Sequence, residues 1–587
     1  MIKNPISLSR AQNVTSAVVL LSIMLLTIGG CKEQPASKSA PNDTSTSTTP
    51  VPAVPLAGAP MLEVPLPEAP LPTNFQAVYD NISKDDISSH IQVLASNEFG
   101  GRAPATEGEK LTLDYVSSEL AEAGFSPGNG SSFLQKVDLM QITADSNMIL
   151  EMGTQTFAYK ENMVAGSKRE VSEIEVNASD IVFLGYGVNA PEYDWNDYDM
   201  ADVKGKTVIV LVNDPGFANP EGDKFEGETM TYYGRWSYKF EEASRQGAEA
   251  VFIVHESAPA SYGWSVVANS WSGPQYGLVS SDGGAGRVAV EGWLSYDAAV
   301  NVFKEAGLDF EKEKTNALKG PYAKALNTKA SITVQNNIVK SQSYNVIATL
   351  PGAQFPDEHI IYTAHWDHLG TDASKEGDKI YNGAHDNATG VAAILSMAKA
   401  FGSLDNKPKR SITMLVVTAE EQGLLGSKYY AENPIVPLNK TVANINMDAM
   451  NILGQTKDIA VIGMGKSELE TYLETAATKQ NRVLTQESKP QAGYYYRSDH
   501  FSFAKFGVPA LYAKGGSQPI DEATADYRKR MNVIVTGCYH QVCDQYRKNW
   551  NMMGIVEDTQ LLFDVGYQLS STTRWPKWNE TSEFQRP

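Results

Sequence analysis

The chain has 587 residues, 42 % of them hydrophobic, so it holds ample material for a packed core and is too long for one ordinary domain. Aspartate and glutamate number 69 against 49 lysines and arginines, a formal net charge of -20. That acidic field argues against nucleic acid and against anionic lipid as partners, because phosphate recognition needs clustered cations.

At the start of the chain Lys3 and Arg10 precede an apolar run from about Val14 to Ile28, followed by Gly29, Gly30 and Cys31. The run is short for a membrane span, which needs ~20 apolar residues, and the order basic, apolar, small is that of an export signal. Ile28-Gly29-Gly30-Cys31 resembles the lipobox of bacterial lipoproteins, with an ordinary signal peptide as the alternative. The resemblance implies lipidation of Cys31 and an exported chain anchored at the cell envelope, on the outer membrane or the periplasmic face. Residues 32–75 are rich in Ser, Thr and Pro without a helical or strand period, and are expected to be a flexible tether. Membrane contact is then expected through the lipid anchor only.

Ordered structure is expected from about residue 76. Ile87, Ile91 and Leu94 recur at helical spacing, and Thr106 with Glu109 forms a capping-box pattern ahead of Leu113, Val116 and Leu120, with Gly124 closing that helix. Two amphipathic helices cannot bury a useful core alone, so residues 76–149 are expected to complete a later domain. Between 150 and 335 the segments DIVFLGYGV, KGKTVIVLVND and VFIVHES read as strands, with YKFEEASRQGAEA as a helix between the last two. They resemble the protease-associated domain, which implies an inserted β-rich domain. His255, at the end of the last of these strands, reads as structural because no second ligand lies near it.

From 336 to 575 strands and helices alternate. SYNVIATL, EHIIYTAH, SITMLVVTA, TVANINMDAM, DIAVIGMG and VPALYAK read as strands; ATGVAAILSMAKAF and SELETYLETAATKQ read as helices. The expected fold is α/β, a mostly parallel mixed sheet sandwiched by helices. Three of these strands run into metal-capable side chains: IIYTA into His365-Trp366-Asp367-His368, ITMLVVTA into Glu420-Glu421, and VANINM into Asp448. Ligands of open α/β sheets bind outside the carboxyl ends of strands, so these residues should meet at one edge. Imidazole and carboxylate are ordinary zinc ligands, and Asp367 can take the second ring N–H of His365. Asp386 lies in the turn before a helix. Consecutive Glu420 and Glu421 point in different directions on an extended backbone, which offers one ligand and one base. Cys538 and Cys543 are expected to be disulfide-bonded in an exported chain, with two reduced thiols as the alternative.

The ordered series AHWDHLG, NGAHDNATG, TAEEQGLLGS, NINMDAM, YRSDHFSFAKFGVPALY and CYHQVCD resembles the aminopeptidase-Y-type zinc peptidases from Val346 to Leu569. Relatives of that family include bacterial leucine aminopeptidases, glutamate carboxypeptidase and the transferrin receptor. The resemblance implies a zinc exopeptidase fold and two zinc ions per chain, one held by His365 and Asp448, the other by Glu421 and His540, with Asp386 bridging them. It makes Glu420 the general base, Asp367 the orienter of His365, Tyr539 the donor to the oxyanion and Arg497 a residue that holds substrate. His500 is the alternative to His540, while His368 and His385 read as neighbours of ligands. Peptide is the expected substrate and aminopeptidase the expected activity; a carboxypeptidase, a one-zinc glutaminyl cyclase and a non-catalytic receptor-like protein are the alternatives. The inserted module is expected to sit beside the substrate entrance and to supply no ligand.

Overall fold

A computed structural model describes residues 71–222, 224–580 and 582–586. The export signal, Cys31 and residues 32–70 of the tether lie outside the described residues. The chain enters through helices α1 (Phe75–Asn81), α2 (Lys84–Leu94) and α3 (Glu107–Glu122). Ser83 caps α2 by accepting the Asp86 N–H, with Asp85 and Asp86 in the positive first turn. Thr106 caps α3 through the Glu109 N–H at 3.4 Å, but the return bond differs from a capping box: the Glu109 carboxylate takes the Ala105 N–H. Ile87, Ile91, Leu94, Val116 and Leu120 are fully buried, and Gly124 ends the helix with φ +85°.

The expectation that residues 76–149 supply helices only is corrected by β1 (Leu134–Ala144), an antiparallel strand of the main sheet. Val137 and Leu139 face the core at period two, a short alternation within LQKVDLMQITA. The module follows, with β2 (Glu173–Phe183), β3 (Thr207–Leu211), β4 (Ala250–Val254) and β5 (Val290–Leu294) mutually parallel, and α4 (Trp236–Arg245) between β3 and β4. Ile209 and Leu211 enter one apolar cluster and Val208 and Val210 another, so both faces are covered; this is why TVIVL and AVFIV are unbroken apolar runs.

The boundary expected at 335/336 falls inside a single strand, β6 (Lys324–Leu350), 27 residues long. Its first part pairs with β2 of the module, its middle with β1 and its end with the main sheet. Ala144 and Asn336 are registered partners, so the chain leaves the main sheet and returns to it at adjacent positions. The main sheet continues with β7 (Phe355–His365), β8 (Arg410–Val417), β9 (Thr441–Asn446), β10 (Asp458–Val461), β11 (Val483–Gln486) and β12 (Ala510–Gly515). Its order is β1-β6-β8-β7-β9-β12-β10-β11, with β8, β7, β9 and β12 parallel, β6 antiparallel to both its neighbours, and β10 antiparallel to β12 and parallel to β11. Helices α5 (Thr389–Gly402), α6 (Leu469–Lys479) and α8 (Met553–Ser571) pack with α2 and α3 on one face; α7 (Glu522–Cys538) leads into the Tyr539-His540 loop. A second cluster containing Ile361, Leu415, Tyr430 and Phe503 covers the other face.

The expected end of the domain at 575 is also corrected. Trp578 donates its ring N–H to the Gly507 carbonyl at 2.9 Å, and Arg586 donates to the carbonyls of Thr441 and Val442 at 2.9 and 2.7 Å, so the tail packs against the start of β9. Among the described residues no helix is long and apolar enough to cross a membrane. One buried arginine ties the N-terminal helices to the chemistry: Arg102 donates to the carbonyls of Leu94, Trp366, Asn382 and Gly383 at 2.6 to 2.8 Å. It thereby fixes both loops that carry His365 and Asp386.

Candidate metal centre and active site

Parallel strands bring their carboxyl ends to one edge, and there β7 ends on His365, β8 is followed by Glu420 and Glu421, and β9 by Asp448. Asp386 stands just before α5 and His540 just after α7. Ala419, Ala449 and His540 adopt left-handed backbone with φ of 53°, 46° and 55°. Each such turn costs a non-glycine residue on the order of 1 kcal/mol and turns the chain sharply beside a functional side chain. Gly383 has φ +57°, and a Cβ there would lie 2.4 Å from the Asp386 carbonyl and 2.6 Å from the His368 ring, which explains the glycine of NGAHDNATG.

Asp386 is the centre of the cluster. Its Oδ1 lies 3.2 Å from His365 Nε2 and its Oδ2 lies 3.2 Å from His540 Nε2. His365 Nε2 also faces Asp448 Oδ1 at 3.6 Å and Glu420 Oε2 at 4.0 Å, while His540 Nε2 faces Glu421 Oε2 at 3.0 Å. The structure therefore gathers all five residues expected as ligands together with the expected base. Two groups, His365-Glu420-Asp448 and His368-Asp386-Glu421, each bring their donor atoms within 4.8 Å of one another, and neither contains a residue of the module. His368 already meets Glu421 Oε1 through Nδ1 at 2.6 Å, so His540, facing both Asp386 and Glu421, is the better-placed donor on that side.

The electrostatics fit cations. Burial opposes ionisation of Asp386, yet the facing imidazoles of His365 and His540 hold it well below the carboxylate range. Burial likewise opposes protonation of the imidazoles, but Glu420, Asp386 and Asp448 push His365 up, and Asp386 and Glu421 bring His540 to about 10. Burial drives Glu420 well above its usual range and raises Asp367 and Asp499 to about 7. A centre this rich in carboxylates draws protons onto its histidines, and a divalent cation would displace them. His365 Nε2 is fully buried without a hydrogen bond although carboxylate oxygens surround it, which is the orphan donor a metal ion would satisfy. Nitrogen and oxygen donors of this kind suit zinc.

Asp367 requires a correction. Its Oδ1 lies 3.9 Å from His365 Nδ1, beyond hydrogen-bond distance, and that ring nitrogen faces the Asp367 backbone carbonyl at 3.2 Å. The carboxylate instead accepts the backbone N–H groups of Glu420 at 3.1 Å and Glu421 at 3.4 Å, fixing the turn that carries both side chains. Tyr539 is exposed, its ring stacked on His540 with centroids 3.8 Å apart. Cys538 and Cys543 are disulfide-bonded, closing the loop that carries Tyr539 and His540. Arg497 lies outside the cluster, one residue before Ser498, whose hydroxyl donates to Asp448 Oδ2 at 2.7 Å.

His500 is buried against Tyr495 and Tyr512 and belongs to neither metal-capable group, while His385 faces the Met450 carbonyl at 3.1 Å. His255 is buried beside the Tyr262 carbonyl at 3.0 Å. Sequence reasoning missed the supports. Asp544 accepts the N–H groups of His385 and Asp386, Ser498 anchors Asp448, and Lys514 donates to the carbonyls of Asp448 and Ala449. The aspartate that closes CYHQVCD was the available signal for Asp544.

Residues 345–563 match the model of Peptidase family M28. The mouse protein named Aminopeptidase NAALADL1 is 32% identical over 126 residues, 21% of this chain, and the match spans 15% of that relative's length. The probable leucine aminopeptidase 2 of Aspergillus oryzae is 22% identical over 498 residues, 83% of each chain. Among solved structures, the aminopeptidase from Aneurinibacillus sp. strain AM-1 aligns with TM-score 0.47 and 19% identity, covering 87% of this chain and 99% of that one.

Proposed function

We propose that this zinc-dependent metallopeptidase, whose residues 345–563 form its M28-type peptidase region, is an aminopeptidase that releases N-terminal residues from peptides with two zinc ions bound per chain. The observation that carries the reading is Asp386, which presents one carboxylate oxygen to each of two imidazoles, each with a further carboxylate beside it. His365 and Asp448 would hold one ion, Glu421 and His540 the other, and Asp386 would serve both. Zinc bound there acidifies water and polarises the scissile carbonyl.

The protein's own groups do the rest. Glu420 takes the proton of the attacking water and returns it to the departing amine. Asp367 holds Glu420 in place through the backbone. Tyr539 donates its hydroxyl to the carbonyl oxygen as negative charge develops there. The acidic excess of the chain, 69 acidic against 49 basic residues, steers the cationic amino terminus of a peptide, which favours an aminopeptidase over a carboxypeptidase. Presence of the full donor set supports catalysis over a binding-only role. Export and anchoring through Cys31 would place this activity at the cell envelope, and the module would restrict which peptides enter.

A panel of peptides with free and acetylated amino termini tests the reading. Cleavage of the free-amine peptides one residue at a time, abolished by acetylation and by a zinc chelator, is the expected result. Cleavage of acetylated peptides from the carboxyl end, or chelator-resistant cleavage, would contradict it.

A further inference from the structure

His368 lies three residues beyond the end of β7 and is fully buried. Its Nδ1 meets Glu421 Oε1 at 2.6 Å, and since an ionised carboxylate only accepts, the imidazole is the donor. Its Nε2 is buried without a hydrogen bond, so among the described residues Glu421 is the one hydrogen-bond partner of the ring. Packing holds the ring in place. A Cβ built on Gly383 would lie 2.6 Å from two of its carbon atoms, so the imidazole rests directly on the backbone of the loop that carries Asp386. The His368 N–H donates to the Arg102 carbonyl at 3.3 Å, and Arg102 in turn donates to the Gly383 carbonyl at 2.8 Å, which ties ring and backbone to that loop.

The consequence falls on Glu421. With Oε1 taken by His368, the oxygen left over is Oε2, which faces His540 Nε2 at 3.0 Å, while Asp386 Oδ2 faces the same nitrogen at 3.2 Å. Glu421, His540 and Asp386 therefore offer one donor atom each on this side. Three protein donors are what a catalytic zinc site takes while keeping a fourth position open; a fourth would give the closed set of a structural site. For Glu421 to bind with both oxygens, Oε1 would have to leave His368 and strand a buried imidazole with neither nitrogen bonded. Asp448 divides its oxygens in the same way: Ser498 donates to Oδ2 at 2.7 Å, and Oδ1 faces His365 Nε2 at 3.6 Å.

We propose that His368 is a positioning residue that restricts Glu421 to one coordinating oxygen and so keeps a coordination position free for the reacting water or the peptide carbonyl. His368 has donor atoms within reach of Asp386 and Glu421, but with Nδ1 engaged by Oε1 it acts on the ion through Glu421. The proposal rests on the two-zinc peptidase reading, and the test tells the two apart.

The full-length protein is loaded with Co2+, whose visible absorption is strong at four-coordinate sites and weak at higher coordination, and is compared with His368→Leu and His368→Asn. Leucine removes the donor. Asparagine sets an amide N–H near the place of Nδ1, and an amide nitrogen is a poor metal ligand. His368→Leu should still bind two ions per chain but absorb less strongly, as Glu421 turns both oxygens to its ion, and its zinc form should lose kcat by about 10–100-fold with KM little changed. His368→Asn should recover most of the absorption and of kcat. Unaltered absorption and kcat in a folded His368→Leu protein overturn the proposal. So does a folded His368→Asn protein that has lost one ion or its absorption, a result that decides the matter even where leucine prevents folding. Two bound cobalt ions whose absorption depends on position 368, in a protein that cleaves no peptide, would uphold the proposal and sink the peptidase reading; two ions and peptide cleavage indifferent to position 368 would do the reverse.

Discussion

Glu420→Gln should keep both zinc ions and the fold while lowering kcat by about 10²–10⁴-fold, the contribution usual for a positioned general base. The substituted amide has the shape of the carboxylate but cannot accept the proton of the attacking water. Its backbone N–H remains bound to Asp367 Oδ1, so the turn that orients position 420 is unaffected. Glu420 Oε2 is 4.0 Å from His365 Nε2, farther than Asp386 and Asp448, which places it beside the centre rather than within it. Elemental analysis alongside kinetics checks the point. Glu420 also completes a metal-capable triad with His365 and Asp448, so loss of zinc from the variant would move it into the ligand set.

His540→Ala should lose one of the two zinc ions and reduce activity by at least two orders of magnitude. The imidazole faces both Asp386 Oδ2 and Glu421 Oε2, and its removal takes away one of the groups that hold them ionised, beside His365 for Asp386 and His368 for Glu421. The Cys538–Cys543 disulfide still closes the loop, so the effect should be confined to the centre. Metal content and turnover of the variant are the readouts. A fully metallated, active His540→Ala protein would hand that role to His368, which approaches the same carboxylate from the other side at 2.6 Å.

The donors were readable because each sits where a strongly patterned strand stops. Parallel strands buried on both faces appear in sequence as continuous apolar runs, and the first acidic or histidine residue after such a run marks the site edge. His365, Glu420 and Asp448 follow from that rule alone, whereas Asp386 and His540 lie in loops whose approach no periodicity reveals. Family resemblance supplied those two. The strand Leu134–Ala144 was missed because its alternation is short and half-polar, and the junction at 335/336 was misplaced because one strand, Lys324–Leu350, serves both sheets without a break. Asp367 was assigned to the ring of His365 by sequence proximity; the left-handed turn at Ala419 brings Glu420 and Glu421 back over its carboxylate, a path the sequence does not display.

The proposed two-ion centre is tested most directly by counting zinc in the purified full-length protein by mass spectrometry, with activity followed through chelation and titration back. Two zinc ions per chain, with activity lost on their removal and restored as they return, is the expected result. Full activity with a single zinc ion bound, or with none, would contradict the centre built around Asp386.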